Sequence, residues 1–374
     1  MAKLIFKQSK TQLLINTGIM IYEDLGYNNE LEQYRNEQGL DSFEMGRVVS
    51  EHKERYVVKT PTNEYDSELI GNLRFTAESR HDFPAVGDWV AFSEYDEGKA
   101  LIHAIYPRSS VIERQAVGKS GQVQIIAANI DCGIIVQSVN RDFNINRLER
   151  YLTICYASNV EPIILLSKID LITAVELETL LNQIAERIKD VSVIAISNES
   201  DAGLDQLAAL INKGKTYCLL GSSGVGKSTL LNKLSGKELM STGAISESID
   251  RGKHVTSYRE LIVLENGGIL IDNPGMREVG ITDTASGLEM TFDGIMEYAE
   301  NCRFKDCTHQ HEKGCAILEA VENGEIDANT YANFQKMHRE KTHFESTVQE
   351  KKSKDKSFGK MVKNVKKQRK QDKF

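Results

Sequence analysis

The sequence predicts a multidomain chain: an N-terminal OB-fold β-barrel, an α/β domain around a phosphate loop, and a C-terminal zinc-binding helical domain. Three observations predict it. Between Met45 and Ile112 apolar residues alternate in short runs broken by turn residues. From Val123 onward, apolar runs of strand length alternate with amphipathic runs of helix length, and one junction between them reads GSSGVGKST. Near the C-terminus three of the six cysteines fall within 14 residues.

Composition sets the outer limits. A chain of 374 residues is too long for one ordinary domain, and 40% hydrophobic with 27% charged residues is a globular mixture. No apolar run approaches the roughly 18 residues of a membrane span. Polar residues break the opening MAKLIFKQSKTQLLINTGIMIY, so no signal peptide is expected. Cysteines without a disulfide framework suit a reducing cytoplasm, the expected location. The net charge of −8 hides an asymmetry: residues 351–374 carry +9 and the rest −17. A basic tail on an acidic body points to a polyanionic partner.

Residues 1–44 form an extension with no assigned function; YEDLGYNNELEQYRNEQ in it has helical character. Over 45–112 the runs GRVVSEH, RYVVKT, YDSELIGNL, GDWVAF and ALIHAIYP read as five barrel strands. Trp89, between Val86 and Val90, is core material ahead of a base-stacking side chain. Over 113–285 strands CGIIVQSV, PIILLS, VSVIAIS, TYCLLG, ELIVLEN and GGILIDN alternate with helical runs, which argues a mostly parallel sheet with ligands at its carboxyl edge. Cys132, Cys155 and Cys218 fall on these elements as core residues. Residues 286–345 hold the cysteine cluster and 346–374 the basic tail.

Gly221, Ser222, Ser223, Gly224, Val225, Gly226, Lys227, Ser228 and Thr229 match the phosphate-loop pattern. Its glycines let backbone N–H groups turn inward, its lysine reaches the β- and γ-phosphates, and its serine ligates Mg²⁺. Upstream, PIILLSKID ends a strand with Ser167, Lys168, Ile169 and Asp170. In a parallel sheet that end shares an edge with the phosphate loop. Asp170 can then accept from guanine N1–H and N2–H₂, and adenine has no such donor pair. Ser197 and Asn198, closing the next strand, can add contacts to the base.

In GTPases of the Ras type the phosphate loop comes first and the base loops last. Here SKID and AIS precede GSSGVGKS, and DNPG follows at 272–275, so the order is circularly permuted. With a barrel before and a Cys/His cluster after, the chain resembles the ribosome small-subunit-dependent GTPases of the RsgA/YjeQ family over roughly residues 45–345, including GNLRF, VGDWV, AANID and NCRFKDCTH. The resemblance implies a GTPase that binds GTP and GDP, docks on the small ribosomal subunit and its rRNA, and works as a monomer without a membrane. It further implies Gly275 at the phosphates and Thr256 and Asp272 joining Ser228 at Mg²⁺. Three positions depart from the family pattern: Ser167 for Asn or Thr, Asn273 for Thr or Ser, and Val255 within GKHVTSYREL. The first loses the amide that ties the base loop to the phosphate loop.

Met276 stands where a Ras-type GTPase carries its water-orienting glutamine, so intrinsic turnover should be slow. His254 is the replacement, a role that the resemblance also implies. Residues 276–300 then run from DNPG into the cysteine region and are expected to transmit nucleotide state. Cys302, Cys307, His309 and Cys315 form C-x₄-C-x-H-x₅-C, a closed set for one structural Zn²⁺. His311 is a rival ligand, and the family's spacing favours His309. So short and polar a segment is expected to lack a core and depend on the metal. In the tail, Phe358, Met361, Val362 and Val365 form a helical stripe amid lysines, suited to folding on rRNA. Two other readings stay open: a GTP-switched rRNA-binding assembly factor with little hydrolysis, and an ATP-dependent enzyme such as a kinase.

Overall fold

The computed structural model describes residues 20–52, 54–115, 123–140, 143–236, 260–272, 285–346, 350 and 353. His254, Val255, Thr256, Asn273, Gly275, Met276 and the tail stripe lie outside them.

Five strands close the barrel: β1 (Glu44–His52), β2 (Arg55–Lys59), β3 (Glu64–Leu69), β4 (Trp89–Asp96) and β5 (Lys99–Ile105). Their order is β1-β2-β3-β5-β4, and β4 returns to pair with β1. An irregularity between Val48 and Ser50 bends β1 so that it can serve both neighbours. Val48, Tyr56, Val58, Tyr65, Val90, Phe92 and Ile102 fill the interior. The run YDSELIGNL is only partly strand. It alternates inward and outward to Leu69, then Gly71–Thr76 turns helical once Ile70 has donated its last barrel bond to Ile102 O. Phe75 on that turn is 94% exposed.

Residues 20–43 wrap the outside of the barrel. A 3₁₀ turn at Tyr22–Leu25 and a helix at Asn29–Glu37, capped by the Asn28 side chain, bring Leu25 and Leu31 onto Met45, Trp89 and Tyr106. Strand β4 is therefore covered on both faces, Val90 and Phe92 pointing into the barrel and Trp89 and Ala91 outward. Trp89 is 1% exposed and lies edge-on to Tyr27 at 5.1 Å, so it is core.

After the hairpin β6 (Val111–Gln115) and β7 (Val123–Ala128), the α/β sheet uses β8 (Cys132–Ser138), β9 (Glu161–Ser167), β10 (Ser192–Ala195), β11 (Thr216–Leu220), β12 (Glu260–Val263) and β13 (Ile269–Asp272). Its order is β10-β9-β8-β11-β13-β12, parallel throughout except for β12. Strand β12 also meets β1 at Glu260 and Ser50, which joins the barrel to the sheet edge to edge. Helices Ile145–Ala157 and Ala174–Arg187 cover one face; Leu204–Leu210 and Lys227–Ser235 cover the other. Both faces bury apolar residues, which is why β8, β9 and β11 read as unbroken apolar runs. Cys132, Cys155 and Cys218 are buried thiols outside any disulfide among the described residues.

Buried Arg47 locks the two halves together. It donates to Leu25 O (2.7 Å), Gly87 O (3.0 Å), Asn129 O (2.9 Å) and Thr216 Oγ1 (3.0 Å), so one side chain reaches the extension, barrel and sheet. Burial pulls its pKa down to about 10, still charged at neutral pH.

The C-terminal region has helices Ala285–Thr291, Asp293–Ala299 and Ala316–Glu322 and a longer one over 328–346. Around the short ligand segment 302–315, the flanking helices supply a core. Leu288, Phe292, Ile295, Ile317, Phe334 and Met337 make an apolar core of their own, because the apolar residues of separate short helices converge. No helix among the described residues is long and apolar enough to cross a membrane.

Candidate nucleotide site and metal centre

Strands β8, β9, β10, β11 and β13 run parallel, so the loops after Ser167, Ala195, Leu220 and Asp272 all leave from one edge of the sheet. The GSSGVGKST loop leaves β11 there and Gly226 opens the helix Lys227–Ser235. Gly221 has φ 144°, and a Cβ on it would sit 2.3 Å from Val136 O, so no other residue fits. That close approach lays the loop across the end of β8.

Three donors from the base loops reach three successive carbonyls of the phosphate loop. Lys168 Nζ donates to Gly224 O at 2.7 Å, Ser167 Oγ to Val225 O at 2.6 Å, and Asn198 Nδ2 to Gly226 O at 3.2 Å. The tie expected to be lost at Ser167 is therefore present, because a buried hydroxyl reaches the carbonyl directly. Lys168 itself is left-handed (φ 63°), which turns the chain into the 3₁₀ turn Ile169–Leu171. Ile169 N–H bonds Ile196 O at 3.3 Å, and the Ser197 hydroxyl donates to Asp170 Oδ1 at 2.5 Å. Asp170 is thus held in place through one oxygen yet exposed.

Lys227 is the electrostatic centre. Its Nζ donates to Gly221 O and Ser222 O of its own loop, each at 2.7 Å. Burial pulls its pKa down to about 8, and buried Asp272 at the end of β13 pulls the other way. Ser228 lies one residue on, in the first turn of the helix. Lys227, Ser228 and Asp272 thus stand at one edge, a cation donor beside two oxygen ligands of the kind Mg²⁺ takes.

The sequence marks a helix at Ile145–Ala157 but not what it touches. Its Tyr151 hydroxyl hydrogen-bonds Ser222 of the phosphate loop. On the same helix buried Glu149 takes Arg187 (2.7 Å) and Asn333 (2.5 Å), Arg150 pairs with Glu340 (2.6 Å), and Thr153 donates to Thr291 (2.8 Å). One helix therefore touches both the phosphate loop and the C-terminal helices. The expected link over residues 276–300 falls partly outside the described residues.

The four Cys/His ligand atoms lie within 4.8 Å of one another. Cys302 Sγ is 3.5 Å from His309 Nδ1 and 3.9 Å from Cys315 Sγ, and Cys315 Sγ is 3.6 Å from His309 Nδ1. A tetrahedron with Zn–S bonds of about 2.3 Å has edges of roughly 3.8 Å, so the set fits zinc. His309, not His311, belongs to it. The backbone there is left-handed (φ 58°), and its carbonyl is pinned by Tyr331 Oη at 2.6 Å and Gln335 Nε2 at 3.0 Å. The Glu312 carboxylate closes the loop, accepting from the N–H groups of Thr308, Gln310 and His311.

Comparison with known proteins agrees with this geometry. The family model of the RsgA GTPase matches residues 105–282. An ABC transporter model also matches, over 204–372, a span that contains the phosphate loop. The small ribosomal subunit biogenesis GTPase RsgA of Methanosarcina acetivorans is 40% identical over 92% of this chain and 92% of its own. RsgA 2 of Lactiplantibacillus plantarum is 42% identical over 80% of this chain and 84% of its own. Among solved structures, YjeQ from Thermotoga maritima gives a TM-score of 0.57 at 26% identity, covering 79% of this chain and 97% of that one. YloQ, described as a circularly permuted GTPase, gives 0.56 at 25%, covering 83% and 96%. With a permuted nucleotide site, a five-strand barrel and a Cys₃His cluster in one chain, this protein belongs to the RsgA GTPase family.

Proposed function

We propose that this protein hydrolyses GTP during late maturation of the small ribosomal subunit, slowly when alone and faster when docked on the subunit. The observation that carries this is the grip of Ser167 and Lys168 on the carbonyls of Val225 and Gly224. It sets a Lys-x-Asp base reader at a fixed height over a phosphate loop, although the chain enters the site in permuted order. Asp170, steered by the Ser197 hydroxyl, accepts from guanine N1–H and N2–H₂, and Asn198 sits beside it. A base stacked on the Lys168 stem covers that exposed carboxylate and makes its loss of water selective for guanine.

Residues 221–229 wrap the phosphates, with Lys227 carrying the positive charge. Ser228 and Thr256 would hold Mg²⁺, with Asp272 reaching it through water, and Gly275 would meet the terminal phosphate; Thr256 and Gly275 follow from the family pattern. Bound Mg²⁺ neutralises charge on the β- and γ-phosphates. His254 orients the attacking water in place of the missing glutamine. Zn²⁺ on Cys302, Cys307, His309 and Cys315 holds the ligand loop, a structural role.

The units 45–112, 113–285 and 286–345 act as barrel, nucleotide and zinc domains in a cytoplasmic monomer. The basic tail contacts rRNA, and its counterion release makes subunit binding salt-dependent. Met276 favours a second reading, a GTP-switched rRNA-binding factor that barely hydrolyses.

The test is steady-state phosphate release from GTP and from ATP, with and without purified small subunits. Turnover of GTP alone, raised at least tenfold by subunits, supports the proposal. Equal turnover of both nucleotides, or none stimulated, contradicts it, and the last outcome would favour the binding switch.

A further inference from the structure

The loop leaving β10 carries an amide, whereas the base loop one strand earlier, after β9, has lost the family's. Ser167 stands where Asn or Thr is usual, and its hydroxyl has a single reach, to Val225 O. One carbonyl further along the phosphate loop, Gly226 O takes the Asn198 amide at 3.2 Å while also accepting Leu230 N–H at 3.0 Å, the first turn of the helix. Asn198 therefore clamps the junction between phosphate loop and helix.

The orientation of this amide is fixed by chemistry. Turning it would set Oδ1 against Gly226 O, two acceptors facing each other, so the nitrogen must point inward. Its Oδ1 is then out of solvent and has no hydrogen-bond partner among the described residues. Such an acceptor suits a ligand that brings an N–H. The clamp also needs Gly226. At φ 97° that residue is in the left-handed region, and a Cβ on it would stand 2.9 Å from Asn198 Nδ2.

We infer that Asn198 is a positioning residue for the base: it supplies, from the second base loop, the inter-loop amide tie that Ser167 cannot. This rests on the guanine-nucleotide reading above. Because Ile196 N–H bonds Leu166 O and the Ser197 hydroxyl bonds Asp170, holding Asn198 also holds the reader carboxylate in register with the phosphates. The phosphate loop keeps its grips from Ser167 and Lys168 either way. Loss of Asn198 thus reaches the base and leaves the phosphate contacts alone.

The test compares the full chain with Asn198→Ala, Ser167→Asn and the double variant, titrating GDP, ADP and inorganic pyrophosphate. Asn198→Ala lowers GDP affinity roughly tenfold, the scale of one hydrogen bond, and leaves pyrophosphate affinity unchanged. Ser167→Asn in that background restores GDP binding to within about threefold of the parent. Unchanged GDP affinity in Asn198→Ala, an equal loss for pyrophosphate, or no recovery in the double variant overturns the inference. A parent protein that binds ADP as well as GDP would instead overturn the guanine reading itself.

Discussion

The nucleotide site and the metal centre solve the same problem in opposite ways. The metal ligands come from one stretch, Cys302 to Cys315, and a loop closed by Glu312 brings them together. The nucleotide residues come from 167–170, 197–198, 221–229 and 272, and only strand register brings them together. The first gathers four ligand atoms within 4.8 Å, a set that fits one zinc ion. The second is fixed before any ligand arrives, by side chains bonded to backbone carbonyls. A sheet edge tolerates permutation because it specifies where loops leave, not which comes first. A metal loop cannot be permuted without being cut.

Breaking each site should show the difference. Lys227→Ala removes the charge that meets the phosphates and should lower GTP affinity on the order of 100-fold. Its bonds are to its own loop, so the zinc content should stay at one per chain; equilibrium binding and metal analysis check both. Cys315→Ser removes one thiolate and should cut zinc retention at least tenfold against a chelator. Because the surrounding helices keep an apolar core, GDP affinity should stay within about twofold; a collapse of GDP binding would show that the two sites are not separate.

Acidity sharpens the contrast. With the Lys227 pKa near 8, the free protein loses that charge as pH rises, and phosphates must draw a proton back on binding. GTP affinity should therefore fall about eightfold from pH 7.5 to pH 9, measured in buffers of matched ionic strength. Stability of the free protein runs the other way. The unfolded lysine keeps its proton to about pH 10.4, so this contribution is complete above that value and is lost as pH falls through about 8. The smallest effect tests the boundary between the two regions. Asn333→Ala takes a donor from buried Glu149 and should lower stability by about 1 kcal/mol in denaturant titration, with GDP affinity intact.

Motif-bearing loops were legible from sequence because their chemistry is local. Glycines at 221, 224 and 226 and the spacing of Cys302, Cys307, His309 and Cys315 state their purpose within a few residues. The sheet followed from the alternation of apolar runs. Contacts between distant segments left no such mark. Nothing in the sequence couples Glu149 to Asn333 across 184 positions, or Ser167 to Val225 across 58. The start of the helix Gly71–Thr76 reads as strand because Leu73 continues the alternation of β3 after its pairing has ended. The C-terminal core is equally non-local: its apolar residues are spread over four helices and meet only in the fold.

The central claim is that a permuted order rebuilds a guanine site at one sheet edge, with Asp170 reading the base. It is tested most directly by measuring GDP and XDP affinity for the parent and for Asp170→Asn. Xanthine carries a carbonyl where guanine carries its amine, so an amide at 170 should favour it. The account predicts that the parent prefers GDP at least tenfold and that Asp170→Asn reverses the preference. If Asp170→Asn keeps both the affinity and the preference for GDP, Asp170 does not read the base and the reconstruction of the site fails.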